Sequence, residues 1–296
     1  MSKLSQANED KFASELYFSQ LSQTEKERIL KMSPREFRGI VRTGEWTAVT
    51  KDVCHGYTMA NLSIVPQDLA FEYLRFCNQN PHPLPVLEVT EPGNPHTKLL
   101  AANADIRTDL PRYRIFKDGE LIDEPTDIIK YWRGDLVCFL TGCSLTFAHA
   151  FREANIPYRR YGEYLTNVAC VPTERLCGHI IVGIRGFYSI HDAVRAIQIS
   201  SRFPRTHGGP IHFGHASDMA EVGIENFVET LGKPDPISPI RLPNAEPPKP
   251  GEIIMSWGAG TTAQTVAKES KLPFMITHCN GHMFITDLRV EELSAL

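Results

Sequence analysis

The chain has no run of Lys or Arg longer than two residues, and its 31 basic side chains are outnumbered by 35 acidic ones. Without a clustered positive surface nothing neutralises a phosphate backbone, so nucleic acid is excluded as the main partner. No apolar stretch approaches the ~18 residues of a membrane helix. Asp135, His149 and Arg152 interrupt the best candidate. No C-x-x-C pair occurs among Cys54, Cys77, Cys138, Cys143, Cys170, Cys177 and Cys279, and this odd set argues against a disulfide scaffold or a zinc knuckle. The N-terminal region lacks an apolar signal core, and it carries Glu9, Asp10, Glu15, Glu25 and Glu27, which transit peptides avoid. A soluble, cytoplasmic chain with no membrane partner is the expectation.

What is present is length and a balanced composition. With 296 residues, 42% hydrophobic and 22% charged, the chain can bury roughly 75% of its unfolded surface, which a disordered chain cannot. Ser33-Pro34-Arg35-Glu36 has capping-box spacing with Pro at the first helical position, so a helix starts there. Asp68 opens another, with Leu69, Tyr73, Phe76 and Cys77 on one stripe and Asn80-Pro81 as its end. Pro85 to Val89 reads as a short buried strand. Tyr113 to Phe116 and Glu120 to Ile122 flank Lys117-Asp118-Gly119 as a hairpin. The apolar spacing from about Asp135 to Asn155 predicts a helix, with Gly142 and Ser144 marking a break or a start within it.

After Pro157 the pattern alternates: strand Ile180 to Ile184, helix Ile190 to Ser201, strand Pro210 to Phe213. That β-α-β unit favours an α/β fold. Seven prolines between 234 and 250 exclude regular structure and mark a stiff connector. Strand Ile253 to Trp257, helix Thr262 to Ser270 and strand Phe274 to His278 follow.

Several polar constellations interrupt these elements. Asp105-Ile106-Arg107-Thr108-Asp109-Leu110-Pro111-Arg112-Tyr113 pairs two guanidiniums with two carboxylates in a loop. It suits a bidentate grip on a substrate carboxylate beside a proton-transfer group, or a solvated loop held by its own ion pairs. Gly142-Cys143-Ser144 places a thiol and a hydroxyl where a helix start would present backbone N–H groups, and close packing by small residues is the alternative. Arg202 to His215 brings His207, His212 and His215 around Gly208-Gly209, without a carboxylate or Cys at metal-ligand spacing. Asn280-Gly281 is the preferred hairpin dipeptide, which would set Cys279 opposite His282 and turn His278 and His282 to different faces. Trp257-Gly258-Ala259-Gly260 is a strand-to-helix turn without a dinucleotide or phosphate-loop signature.

Taken in order, these segments resemble the D-glutamate cyclase family, whose bacterial members carry hydro-lyase names. The likeness runs through Ala60-Asn61-Leu62, Phe76 to Pro81, Leu87 to Gly93, Asp105 to Tyr113, Asp135-Leu136-Val137, Gly142-Cys143-Ser144, Thr166-Asn167, Arg202-Phe203-Pro204, His207-Gly208, Pro210-Ile211-His212, Ile276-Thr277-His278, Gly281-His282-Met283 and Thr286-Asp287. The chain departs where the family has Glu and this sequence has Ala148, where it has Cys and this sequence has Ala259, and where it has Gln and this sequence has Met59.

The resemblance implies a three-layer α/β/α domain (1–155 plus 236–296) with an inserted, smaller two-layer α+β domain (156–235). It implies conversion of an acidic amino acid, D-glutamate, to 5-oxoproline and water. On that reading Asp105, Asp109, Cys143, His207, His212 and His278 are the catalytic candidates. Asn61, Arg107, Arg112, Tyr113, Ser144, Thr166, Asn167 and His282 are those that contact substrate. The partner is a small carboxylate-bearing molecule, no cofactor or resident metal is expected, and self-association into a homo-oligomer is compatible with the sequence. Two other readings stand beside it. One is a dehydratase of a small hydroxy acid, metal-assisted through His212, His215 or Asp287. The other is a non-catalytic carboxylate-binding member.

Overall fold

The computed structural model describes residues 21–51, 53–233 and 245–295. Its strands are β1 (Tyr57–Pro66), β2 (Val86–Val89), β3 (Tyr113–Lys117), β4 (Glu120–Asp123), β5 (Leu136–Gly142), β6 (Tyr158–Ala169), β7 (His179–Phe187), β8 (His212–Gly214), β9 (Ile253–Gly258), β10 (Met275–His278) and β11 (Phe284–Arg289). They form two sheets. The first runs β2-β5-β1-β10-β3-β4, with β11 also paired to β1, and the second runs β6-β7-β9-β8. Among the described residues, every ladder between named strands is antiparallel. The fold is therefore mixed α/β, with two antiparallel sheets and helices packed on them.

Local chemistry explains most elements. Ser22 and Ser33 each close a capping box with Glu25 and Glu36, starting the helices Gln23–Lys31 and Pro34–Arg42. The hairpin β3–β4 turns at Asp118 and Gly119, both at positive φ. Ile190–Ser201 is helical as its spacing predicts, capped by Ser189 on Asp192. The β-α-β unit around it places β7 and β8 parallel to each other, but β9 lies between them and pairs antiparallel with both.

One expected helix is corrected. Residues 136–142 form β5, and the helix runs only over Ser144–Glu153. All seven residues of β5 are buried. Cys138 and Leu140 pack in one core cluster with Leu62, Ile64, Phe147 and Phe151. Val137 and Phe139 pack in the other with Val65, Tyr73, Phe76 and Val182. A strand buried on both faces has no alternation, so its apolar run cannot be told from a buried helix by periodicity. The break marked at Gly142 is the boundary between the two elements.

The second sheet starts at Tyr158. The chain does not rejoin the first sheet at 236, because β9 pairs with β7 and β8; the return comes at β10. Of the proline-rich connector, residues 234–244 lie outside the described residues, and 245–249 carry no regular structure. Among the described residues no helix is long and apolar enough to cross a membrane.

Candidate active site

A narrow cavity opens where the β5-to-helix turn meets β6, β7 and the turns after β9 and β10. Asn61, Cys143, Ser144, Arg160, Glu163, Arg185, His207, Ala259, Gly260 and His278 are on its walls, and its volume of about 40 Å³ admits about three waters. An acidic amino acid therefore enters only when a wall shifts.

Two arginines set its charge. Arg160 on β6 and Arg185 on β7 are direct cross-strand partners, so their side chains leave the same face of the sheet. Like charges so placed repel, and no carboxylate pairs with the Arg185 guanidinium among the described contacts. Arg185 is 2% exposed, stacked 5.1 Å from the ring centroids of both Phe147 and Trp257. Its Nη2 donates to the Ser144 Oγ at 3.1 Å and to the Ser144 carbonyl at 3.3 Å, whereas its Nε and Nη1, like Nη1 of Arg160, meet no acceptor. Burial, reinforced by Arg160, pushes the Arg185 pKa down to about 10, which leaves it charged at neutral pH. A buried cation with two of its three nitrogens unpaired is costly, and the group that would relieve it is an anion.

The turn beside it adds N–H donors. Gly142 ends β5 where a Cβ would lie 1.9 Å from the Arg205 carbonyl, so only glycine fits. The helix Ser144–Glu153 starts there with Cys143 as N-cap and no side-chain cap, so the N–H groups of Ser144 and Leu145, both residues on the cavity wall, have no intrahelical acceptor. Asn61 Nδ2 donates to the Gly142 carbonyl at 2.5 Å. This close approach is opened by Gly260, whose Cβ would come 2.2 Å from that nitrogen.

Two buried imidazoles present opposite faces of proton chemistry. His207 Nδ1 lies 2.6 Å from the His82 carbonyl and must donate to it, so its unpartnered Nε2 carries the lone pair. A reciprocal bond from His82 Nδ1 to the His207 carbonyl (3.0 Å) helps to hold His207 at φ 84°, a left-handed conformation that costs a non-glycine residue energy. His278 Nδ1 accepts the Leu62 N–H at 3.2 Å, which assigns the proton to its Nε2. Burial pushes both imidazoles down to about 4, so both are neutral at pH 7. Glu163 supplies the carboxylate. Its Oε2 accepts from Thr261 Oγ1 and Asn280 Nδ2, both at 3.0 Å. Asn280 in turn accepts from Gln264 (2.9 Å), and Gln264 accepts from Arg114 (2.6 Å), a buried donor chain running from a cation to the carboxylate.

The depressed imidazole pKa values make stability depend on pH. Between about pH 4 and the ordinary histidine value of 6.5, the unfolded chain binds protons that the folded chain refuses. Stability is thus expected to rise with pH across that window. His207→Gln should flatten the slope of melting temperature against pH; an unchanged slope would place the titration elsewhere.

The structure divides the sequence candidates. Asn61, Cys143, Ser144, His207 and His278 reach the cavity. The Cys143 thiol is pushed up to about 11 by burial and stays protonated. The Asp105–Tyr113 loop lies outside the cavity and holds itself together, the ion-pair alternative of the sequence analysis. Arg107 Nη2 pairs with Asp105 at 2.7 Å, and Arg42 grips Asp109 through Nε (2.9 Å) and Nη2 (2.8 Å). The Tyr113 hydroxyl donates to the Ile106 carbonyl, and Arg112 accepts the Cys279 N–H through its own carbonyl. Asp109→Asn should therefore lower the melting temperature by a few degrees, since it removes the charge from a buried acceptor whose bonds come from a half-exposed Arg42, worth ~1.5–3 kcal/mol. Arg107→Lys should leave activity per folded molecule nearly unchanged. Thermal melts and specific activity check both.

The remaining candidates are also apart from the cavity. Thr166 donates to the Ile180 carbonyl, Asn167 packs against Gly223, and His212 faces Glu221 at 3.3 Å. Asp287 is gripped by Arg38 in the first sheet, away from His212 and His215 in the second, so these three share no metal site. Asn280-Gly281 is a turn but not a hairpin. The His282 N–H closes on the Cys279 carbonyl (2.9 Å), yet only Gly281 has positive φ, whereas the hairpin turn requires it at both positions. β10 and β11 continue in one direction along β1, and Cys279 and His282 are not cross-strand partners. The Cys279 thiol instead approaches Glu124 at 3.8 Å, and His282 Nδ1 bonds the Asn280 carbonyl at 2.8 Å.

Arg160, Glu163 and Arg185 were missed from sequence. The one available signal was Arg185 standing inside the apolar run Ile180 to Phe187, where a charge needs a partner or a purpose.

A family model described as D-glutamate cyclase matches residues 137–287. A protein of Geobacillus kaustophilus named "Putative hydro-lyase" is 46% identical over 271 residues, covering 90% of this chain and 98% of that one. A protein of Bacillus licheniformis with the same name is 43% identical over 271 residues, again 90% and 98% of the two chains. Among solved structures, a nitrogen repressor-like protein from Methanococcus jannaschii aligns over 89% of this chain and 98% of its own with 9% identity. Its TM-score of 0.38 is too low to define the fold.

Proposed function

The chain belongs to the D-glutamate cyclase family, and from that membership we propose that it is a hydro-lyase acting on an acidic amino acid at the Arg185 cavity, converting D-glutamate to 5-oxoproline and water. The observation that carries this reading is the cross-strand pair Arg160 and Arg185, a buried cationic patch with unfilled donors and no carboxylate partner for Arg185.

In this reaction the amine nitrogen attacks the side-chain carboxyl carbon. A C–N bond forms, a C–OH bond breaks, and one amine proton leaves with the hydroxyl as water. Arg185 and Arg160 hold the α-carboxylate, with the planar Arg185 fork fixing its orientation. Glu163 receives the ammonium group, takes one proton from it to free the nitrogen lone pair, and passes that proton to the side-chain carboxylate, which makes the C–OH that breaks later. His207 Nε2 takes the proton as nitrogen attacks and returns it to the departing hydroxyl. His278 Nε2–H and the first-turn N–H groups after Cys143 stabilise the oxyanion of the tetrahedral intermediate. Burial supports these imidazole roles, because it keeps one a free base and the other a neutral donor at pH 7.

Incubation with D- and L-glutamate, read by mass spectrometry for loss of one water, tests the reading. Formation of 5-oxoproline is expected, and a folded protein that converts neither substrate contradicts it. One observation favours a second reading. Ala259, where the resemblance expects Cys, is on the cavity wall. A non-catalytic carboxylate-binding member would bind D-glutamate or 5-oxoproline in a calorimeter without turning either over.

A further inference from the structure

We propose that His55, His149 and Glu153 form a binding site for one divalent transition-metal ion of the zinc class, separate from the Arg185 cavity. His149 and Glu153 are four residues apart on the helix Ser144–Glu153, which puts them on one face. His55 reaches them from the turn before β1. Its Nε2 lies 3.0 Å from His149 Nδ1, and one donor atom from each of the three residues falls within 4.8 Å of the others. The two rings meet edge-on at 76°, so their nitrogens converge on one point instead of stacking.

That geometry is close to what a shared ion requires. Zn–N bonds are about 2.0–2.1 Å, which puts two tetrahedral ligand nitrogens about 3.3 Å apart. Opening the pair by a few tenths of an ångström and turning the exposed Glu153 suffices. The scaffold is fixed. The His55 N–H donates to the Leu30 carbonyl at 2.8 Å, and the Gly56 carbonyl accepts from Val290 at 3.1 Å. Two imidazoles and one carboxylate select zinc, nickel or copper(II) over magnesium and calcium, which prefer all-oxygen ligands.

Three protein ligands leave a fourth position open. His149 and Glu153 also line a groove of about 570 Å³ with Arg202, Phe203 and Glu291, and this groove shares no lining residue with the Arg185 cavity. An ion here would tie the helix that carries Ser144 at its start to the turn that leads into β1.

The test uses the full chain without a histidine tag, dialysed against zinc chloride, with bound metal and melting temperature measured. One zinc per chain and a melting temperature raised by several degrees are expected, with no competition from millimolar magnesium. His55→Gln should abolish stoichiometric binding. Glu153→Gln, at an exposed position, should weaken it by about tenfold or more. The proposal fails if the wild type retains no zinc. It fails equally if zinc is retained unchanged in both variants, or is lost in His207→Gln and His278→Gln instead, which would put the ion in the cavity.

Discussion

Arg185→Met is expected to cut turnover of an acidic amino acid by orders of magnitude while leaving the protein at least as stable as before. Two charge-assisted hydrogen bonds to a carboxylate are worth ~3–6 kcal/mol together, so kcat/KM should fall by roughly 10²- to 10⁴-fold. Without substrate the same guanidinium is a buried cation with two nitrogens unsatisfied and Arg160 directly opposite. An apolar side chain of similar volume removes that cost, and methionine makes favourable contacts with the Phe147 and Trp257 rings. Arg185→Lys keeps the charge without the fork and should fall between the two. If the arginine were only a structural stack, the signs would reverse: Arg185→Met would melt earlier and keep its activity per folded molecule. Steady-state kinetics and a thermal melt on the same preparation decide.

His207→Gln is expected to lower kcat by roughly 10²- to 10⁴-fold with little change in KM, since a positioned base contributes about that factor to the chemical step and less to substrate binding. Its neighbour across the cavity separates the roles. His278→Gln keeps an N–H donor, so it should lose less than His207→Gln, which loses the free lone pair. Equal losses in the two variants would mean that neither imidazole acts as the base. A drop confined to KM in His207→Gln would make the residue a binding group.

The parts of this fold that were legible in the sequence are those fixed by local chemistry. The capping box at Ser33, the Lys117-Asp118-Gly119 turn and the helix Ile190–Ser201 depend on residues within a turn or two of one another. β5 was misread because both its faces are buried, which erases the period on which strand and helix are distinguished. The site divides in the same way. His278 stands out as an imidazole at the end of an apolar run, His207 as one beside the paired glycines Gly208-Gly209, and Gly142-Cys143-Ser144 as small residues inside an apolar run. Arg160 is invisible because its meaning lies in the register of β6 against β7, which brings it opposite Arg185 across a hairpin. The Asp105 loop misled for a physical reason: a dense set of opposite charges has the same sequence pattern whether it grips a ligand or itself. Here Arg42, far away in sequence, completes the internal arrangement around Asp109.

The most direct measurement is a crystal structure with 5-oxoproline bound. The carboxylate should lie in the fork of Arg185, with an oxygen within about 2.7–2.9 Å of Nε and Nη1, beside Arg160 and the helix start at Ser144. The ring carbonyl should face His278 Nε2. A ligand held instead by Arg107 and Arg112, with the cavity unchanged and the Arg185 nitrogens still without an acceptor, would contradict the assignment.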